Sequence, residues 1–202
     1  MTIDMGIMAY NEEQNIGKLL QRVKDIGIVD NVFVVASGCT DGTVEIAKSM
    51  GAKVIVQDTR EGKISAINLF LQQAKSEILI LCSADVLPSD FCFKYLLEPF
   101  KDSKVGVVGA HPIPVNKLNS RINKIGNLMW KSHHQMALKY PKAGEIAAFR
   151  NKVDALENTL VDEAYIESRL TEIGYRVEYA SNAVVFNRSP ETLDDFKICI
   201  KL

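Results

Sequence analysis

The sequence predicts a three-layer α/β/α sandwich around a mostly parallel sheet, and three observations predict it. Short β-branched runs alternate with amphipathic stretches through the first half of the chain, the pattern of consecutive βα units. One run, Ile78-Leu79-Ile80-Leu81, is apolar without a break, as a strand covered on two faces must be. Of the 202 residues, 47% are hydrophobic, enough to fill one core. A single domain over residues 1–202 is expected, because no linker, internal repeat or low-complexity segment divides the chain.

The first strand is expected over Ile3 to Ala9. From Glu12 to Gly27, Ile16, Leu19, Leu20, Val23 and Ile26 recur at helical spacing, with Asn11 as N-cap and Gly27 as stop. Val32 to Val35 is a second strand, and its helix opens near Asp41-Gly42-Thr43 and ends at Met50-Gly51. Lys53 to Val56 makes a strand, Lys63 to Ala74 a helix, and Ile78 to Leu81 the central strand. Beyond Pro88, Phe91 to Phe100 reads as a helix and Val105 to Val108 as a strand, after which the regular alternation stops. Val161 to Ile173 reads as a helix, and Arg176 to Ala180 and Val184 to Asn187 as two strands. Ser189 and Pro190 form the N-cap and first position of a last helix.

Lys and Arg number 24 against 25 for Asp and Glu, a net charge of -1, which excludes a global attraction to nucleic acid. Cys39, Cys82, Cys92 and Cys199 lie too far apart for zinc-ligand spacing, so free thiols in a reducing cytoplasm are expected. A basic leader and an apolar run of membrane-spanning length are not found. The chain reads as cytoplasmic, either as it stands or as a domain of a longer, membrane-attached protein, since it stops at Lys201-Leu202 within a helical pattern.

One segment is charged locally. Between Lys117 and Lys142, the basic residues Lys117, Arg121, Lys124, Lys131, Lys139 and Lys142 meet no acid, while Leu118, Ile122, Ile125, Met129 and Met136 recur at near-helical spacing. This predicts a basic amphipathic helix. The first expectation is that its apolar stripe packs on the sheet. The second is a peripheral contact with anionic head groups at the cytoplasmic face of a membrane, or with a lipid-phosphate acceptor. His133 and His134 are adjacent on this helix and so point apart, a poor metal pair with a structural or acceptor-edge role. Trp130 is a core or interface anchor, or a platform for a sugar or a membrane surface.

Ligands of open α/β sheets bind beyond the carboxyl ends of the strands. Three polar segments follow strands there: Ala9-Tyr10-Asn11-Glu12-Glu13, Ala36-Ser37-Gly38-Cys39-Thr40-Asp41-Gly42-Thr43, and Cys82-Ser83-Ala84-Asp85. An aromatic face, a turn of small residues before a helix and a carboxylate are the ingredients for a base, phosphates and a metal.

In this order, and joined by Gly62-Lys63 with Ala66 and Asn68, these segments resemble the motifs of family 2 glycosyltransferases with the GT-A, nucleotide-diphospho-sugar transferase fold and its Rossmann-like sheet. The resemblance runs on through Ala148-Phe149-Arg150, Asp162-Glu163, Arg169-Leu170, Gly174-Tyr175-Arg176 and Pro190-Glu191-Thr192-Leu193. It implies a hexosyltransferase-type enzyme that moves a sugar, with inversion, from a nucleotide-diphosphate donor to an unidentified lipid phosphate, glycan or other hydroxyl. Tyr10, Asn11, Glu12, Ser37, Gly38, Asp41, Lys63, Ser83 and Asp85 would bind the donor. Asp85 would also hold a Mg²⁺ or Mn²⁺ ion against the diphosphate, and Glu163, with Asp162 beside it, would act as general base.

The departures are specific. Ala36 and Ser37 stand where many members have an acid, Ser83 replaces the first acid of the DXD motif, and Met8 replaces a common proline. No QxxRW-type segment of processive members follows Pro190. A sugar nucleotidyltransferase is one rival, although the first strand lacks the Gly-rich, Arg-containing loop that it needs. A catalytically silent nucleotide-sugar-binding module is another, and a transferase completed by a C-terminal segment a third.

Overall fold

The computed structural model describes residues 1–117, 119–157, 161–189 and 192. Strand alternation divides its core in two. In β1 (Ile3–Ala9), Ile3, Met5, Ile7 and Ala9 face one buried cluster, whereas Phe33 and Val35 of β2 (Asn31–Ser37) face the other. In β4 (Ile78–Ser83), Ile78 and Ile80 join the first cluster and Leu79 and Leu81 the second. The first cluster is closed by α1 (Ile16–Ile26), α2 (Thr43–Ser49) and α4 (Cys92–Leu97). The second is closed by α3 (Lys63–Gln73) and α6 (Asp162–Glu172). The expected three layers follow from this division.

The remaining strands are β3 (Lys53–Gln57), β5 (Leu87–Pro88), β6 (Val105–Pro114), β7 (Ile146–Arg150) and β8 (Arg176–Asn187). All eight lie in one sheet of order β3-β2-β1-β4-β7-β6-β8-β5. Four pairings are parallel. Three are antiparallel, two of them made by β7 between β4 and β6. This explains why the alternation stops after the first half: the later strands are not linked by simple βα crossovers.

Several boundaries differ from the sequence reading for local reasons. Asn11 does not cap α1; its backbone is left-handed (φ 54), which brings its Oδ1 to the Thr40 amide at 2.8 Å. The helix starts instead at Ile16, after a turn in which the Glu12 carbonyl accepts from the Asn15 and Ile16 amides. The two expected strands after Arg176 are one, because β6 continues beside them through a register shift between Gly109 and His111. Strand β7 was not foreseen: its run Ile146-Ala147-Ala148-Phe149 is short and half alanine, a residue depleted in strands. The expected helix from Ser189 and Pro190 lies outside the described residues.

The largest correction concerns α5 (Arg121–Lys139). It packs on β6 and β8 through Asn123, Gly126 and Ala137, while Ile125, Leu128, Met129 and Met136 are 52–64% exposed. The apolar stripe points outward, against the first expectation. Close approach is the physical reason: a Cβ on Gly126 would stand 2.6 Å from the Ser189 Cβ, so only small side chains fit the inner face.

Candidate active site

The sheet order reverses beside β1, whose neighbours are β2 on one side and β4 on the other. Chain connections leaving these strands diverge, and a crevice opens at their carboxyl ends. Tyr10 and Asn11 follow β1 there, Ser37 ends β2, and Ser83 ends β4 with Asp85 two residues on, at the surface.

The β1 and β2 ends are tied together. Besides the Asn11–Thr40 bond, the Glu12 amide donates to Thr43 Oγ1 at 2.7 Å and the Glu13 amide to Asp41 Oδ2 at 3.1 Å. The other Asp41 oxygen accepts from the Thr43 amide at 3.1 Å. Asp41 thus holds the two loops in place. Glu12 is half-buried and its carboxyl is raised above the usual range by desolvation, with the Asp85 and Asp41 charges adding to the rise and a hydrogen bond from Asn15 opposing it.

Tyr10 is 42% exposed, with the Arg60 guanidinium 4.2 Å from its ring centroid. Ser37 is buried and its Oγ accepts from the Glu61 amide at 3.1 Å. Gly38 has φ 66, and a Cβ there would lie 2.5 Å from the Arg60 nitrogen. Glycine is what lets the β2 end sit against the Arg60 backbone and so places its side chain over Tyr10.

The acids lie on the other wall. Asp162 and Glu163 open the first turn of α6, where the helix N-terminus favours negative charge. Lys63, the first residue of α3, reaches them across 99 residues of sequence: its Nζ is 2.9 and 3.1 Å from the two Asp162 oxygens and 3.5 Å from Glu163 Oε1. Asp162 is buried and gripped at each oxygen, while Glu163 keeps a looser contact and more exposure. Desolvation raises the Glu163 carboxyl above its ordinary value, Lys63 pulls it down and Asp162 pushes it up, with a net rise.

Met8, Lys63, Ser83, Asp162 and Glu163 line one small crevice, together with Glu145. Glu145 and Glu163 also line an adjoining cleft of about 330 Å³ that is walled by Trp130 and His133 of α5. The structure therefore gathers Lys63, Ser83, Asp162 and Glu163, and separately Tyr10, Asn11, Glu12, Ser37, Gly38 and Asp41 at the β1–β2 ends. Among the described residues, no three His, Cys, Asp or Glu side chains are grouped so as to hold a metal. The three histidines are structural neighbours: the His111 and His134 rings stack with centroids 3.8 Å apart, His134 Nδ1 meets the Tyr179 hydroxyl at 2.9 Å, and His133 Nε2 meets the Ala143 carbonyl at 3.2 Å.

Sequence reasoning missed Arg60 and Glu145. The signal for Glu145 was an acid placed directly before an apolar run, in Gly144-Glu145-Ile146, the same pattern in reverse that drew notice at the strand ends. Its Oε1 accepts from Asn187 Nδ2 at 2.9 Å. Desolvation raises its carboxyl from 4.5 to about 7, against that hydrogen bond, and Asp85 and Glu163 add to the rise while Lys63 opposes it. The folded state therefore holds a proton on Glu145 that the unfolded chain releases. The stability it contributes is complete below pH 4.5 and is lost as pH rises through about 7. Glu145→Gln stays neutral throughout. In metal-free buffer its stability is expected to match the parent's at pH 4 and to exceed it at pH 8, by on the order of 3 kcal/mol, read as a higher melting temperature. Equal melting at pH 8 would show that Glu145 is not desolvated.

A sheet that reverses beside β1, with helices on its two faces and an acid-lined crevice at the strand ends, defines an α/β protein of the GT-A, nucleotide-diphospho-sugar transferase type. The chain belongs to glycosyl transferase family 2, whose model matches residues 5–157. Among curated relatives, poly-beta-1,6-N-acetyl-D-glucosamine synthase of Staphylococcus epidermidis is 24% identical over 210 residues, covering 95% of this chain and 51% of that protein. The synthase of Staphylococcus aureus (strain COL) is 22% identical, covering 93% and 50%. The chain thus spans about half the length of these relatives. Two solved structures share the fold. A mannosyltransferase from Pyrobaculum calidifontis, in complex with GDP-Man and Mn²⁺, has a TM-score of 0.76 at 20% identity, over 95% of this chain and 58% of that one. Glucosyl-3-phosphoglycerate synthase from Mycobacterium tuberculosis, in complex with Mn²⁺, UDP and phosphoglyceric acid, has 0.72 at 18% identity, over 99% and 75%.

Proposed function

We propose that residues 1–202 act as one catalytic unit that transfers a sugar from a nucleotide-diphosphate donor to an acceptor oxygen, with inversion at the anomeric carbon. The observation that carries this reading is the unequal treatment of the acid pair: Lys63 grips Asp162 through each oxygen and touches Glu163 more loosely, and Glu163, with its carboxyl raised by desolvation, is left on the wall of the crevice. In the transfer, an acceptor hydroxyl attacks the anomeric carbon, the bond to the diphosphate breaks on the opposite side, and the nucleotide diphosphate leaves with the bonding electrons. Glu163 takes the hydroxyl proton as the new C–O bond forms. An ionised lipid phosphate as acceptor would carry no such proton, and Glu163 would then act only through its charge.

The donor's base would lie towards Tyr10, Asn11, Ser37 and Gly38, and its diphosphate towards Ser83 and Asp85. Arg60 covers one face of Tyr10, so a base stacks on the other face or displaces the guanidinium. A Mg²⁺ or Mn²⁺ ion would be held by the exposed Asp85, with phosphate oxygens and water supplying the other ligands, since such hard cations need only one or two carboxylates. When bound, it would neutralise charge that builds on the leaving diphosphate. The Mn²⁺ complexes of the two structural neighbours support that assignment. The free thiols of Cys39, Cys82 and Cys92 support a reducing, cytoplasmic setting.

Ser83 in place of a second acid favours one other reading, a binding module without turnover. Calorimetric titration of UDP, GDP and dTDP, each with and without Mn²⁺, tests the two together with release of nucleotide diphosphate from the matching sugar donor. One nucleotide is expected to bind with Mn²⁺ at least tenfold more tightly than without, and Asp85→Ala is expected to abolish that difference. Metal-independent binding without turnover would support the module, and no binding by any of the three would sink the donor site.

A further inference from the structure

We propose that the outer face of α5 is a docking surface for an anionic lipid bilayer. Helices of soluble proteins ordinarily bury the apolar stripe and expose the polar one. Here the order is inverted: Asn123, Gly126 and Ala137 face the sheet, and Ile125, Leu128, Met129 and Met136 are all more than half exposed. An exposed contiguous apolar patch rimmed by polar groups marks an interaction surface. Leu128 and Met136, with Lys131, Lys139 and Tyr140, line an open depression of about 490 Å³ on this face.

Charge selects the occupant. Residues 117–142 carry six basic groups and no acid. None of the six is in an ion pair among the described residues. Arg121, Lys124, Lys131 and Lys139 lie on α5 itself and are exposed with the apolar groups. A second copy of the chain would set this cationic face against itself, which like-charge repulsion opposes. An anionic bilayer offers what the face needs: negative head groups for the ammonium groups and an acyl boundary for Leu128, Met129 and Met136. Among the described residues, no helix is long and apolar enough to cross a membrane, so this contact lies on the surface.

The position of the helix gives the contact a consequence. Trp130 and His133 wall the cleft that also contains Glu145 and Glu163. Docking through the outer face of α5 places that cleft beside the head groups.

The test is co-sedimentation of the whole chain with vesicles of phosphatidylcholine alone or mixed equally with phosphatidylglycerol, at about 0.1 and 0.5 M salt, where screening differs severalfold. Binding to the anionic vesicles is expected, with at least tenfold weaker binding to the neutral ones and at high salt. The triple variant Lys124→Glu, Lys131→Glu, Lys139→Glu should lose at least tenfold in affinity, and Leu128→Gln with Met129→Gln a comparable amount. Circular dichroism melts of the variants, whose changed side chains are all exposed, check that each is folded. No binding to anionic vesicles, binding that ignores salt and lipid charge, or a stable dimer that blocks vesicle binding would each overturn the proposal.

Discussion

Glu163→Gln is expected to lower turnover about a thousandfold while leaving the affinity for nucleotide diphosphate within about twofold. The size follows from what a positioned general base contributes to a proton transfer, about 10²–10⁴-fold. The selectivity follows from the geometry. Glutamine keeps the volume of glutamate, and Lys63 remains held by Asp162 at 2.9 and 3.1 Å, so the crevice keeps its shape and only the carboxylate we propose as proton acceptor is lost. Turnover is read as release of nucleotide diphosphate from the donor that titration selects, with water as acceptor. The parent enzyme should gain activity as pH rises through the raised value of Glu163, and this acid limb should be missing in the variant. A variant with full turnover and an unchanged pH profile would remove Glu163 from the chemistry.

The strands that frame the crevice were legible because their signals are local. Ile3 to Ala9 and Ile78 to Leu81 read as strands from composition alone, and each boundary fell within two residues of the observed one. The polar segments after β1, β2 and β4 could be ordered around one crevice because parallel strands bring like ends together. The acid pair was also readable, since two acids opening a helical pattern are visible in sequence. Lys63 is expected only among the donor-binding residues, and its grip on Asp162 joins residues 99 apart, a distance no periodicity spans. Glu145 was hidden for a related reason: it precedes β7, which enters the sheet between β4 and β6 out of sequence order. The outward stripe of α5 was misread because Ile125, Met129 and Met136 have the spacing of a core face, while the deciding fact is the closeness of Ser189 to Gly126.

Lys63→Met separates the two roles that this lysine could serve. Removing the ammonium leaves Asp162, with a side chain only 9% exposed, and its neighbour Glu163 as adjacent carboxylates without a counter-ion. Breaking such a pair from one side is costly because the remaining charge stays desolvated, although the 45% exposure of Lys63 itself lets water screen part of the loss. A stability loss of about 1–3 kcal/mol at pH 8 is expected. The two carboxyls can relieve it by taking a proton, so the folded state binds protons more tightly than the unfolded chain and the deficit should shrink as pH falls from 8 to 5. The same change lifts Glu163, because Lys63 is what lowers it in the parent, and the acid limb of the pH–rate profile should move to higher pH. A lysine that served only the diphosphate would give another result: weaker nucleotide binding, an unmoved acid limb and a melting curve without pH-dependent loss. Melts at the two pH values and one pH–rate profile decide between a lysine that tunes the base and one that holds the donor.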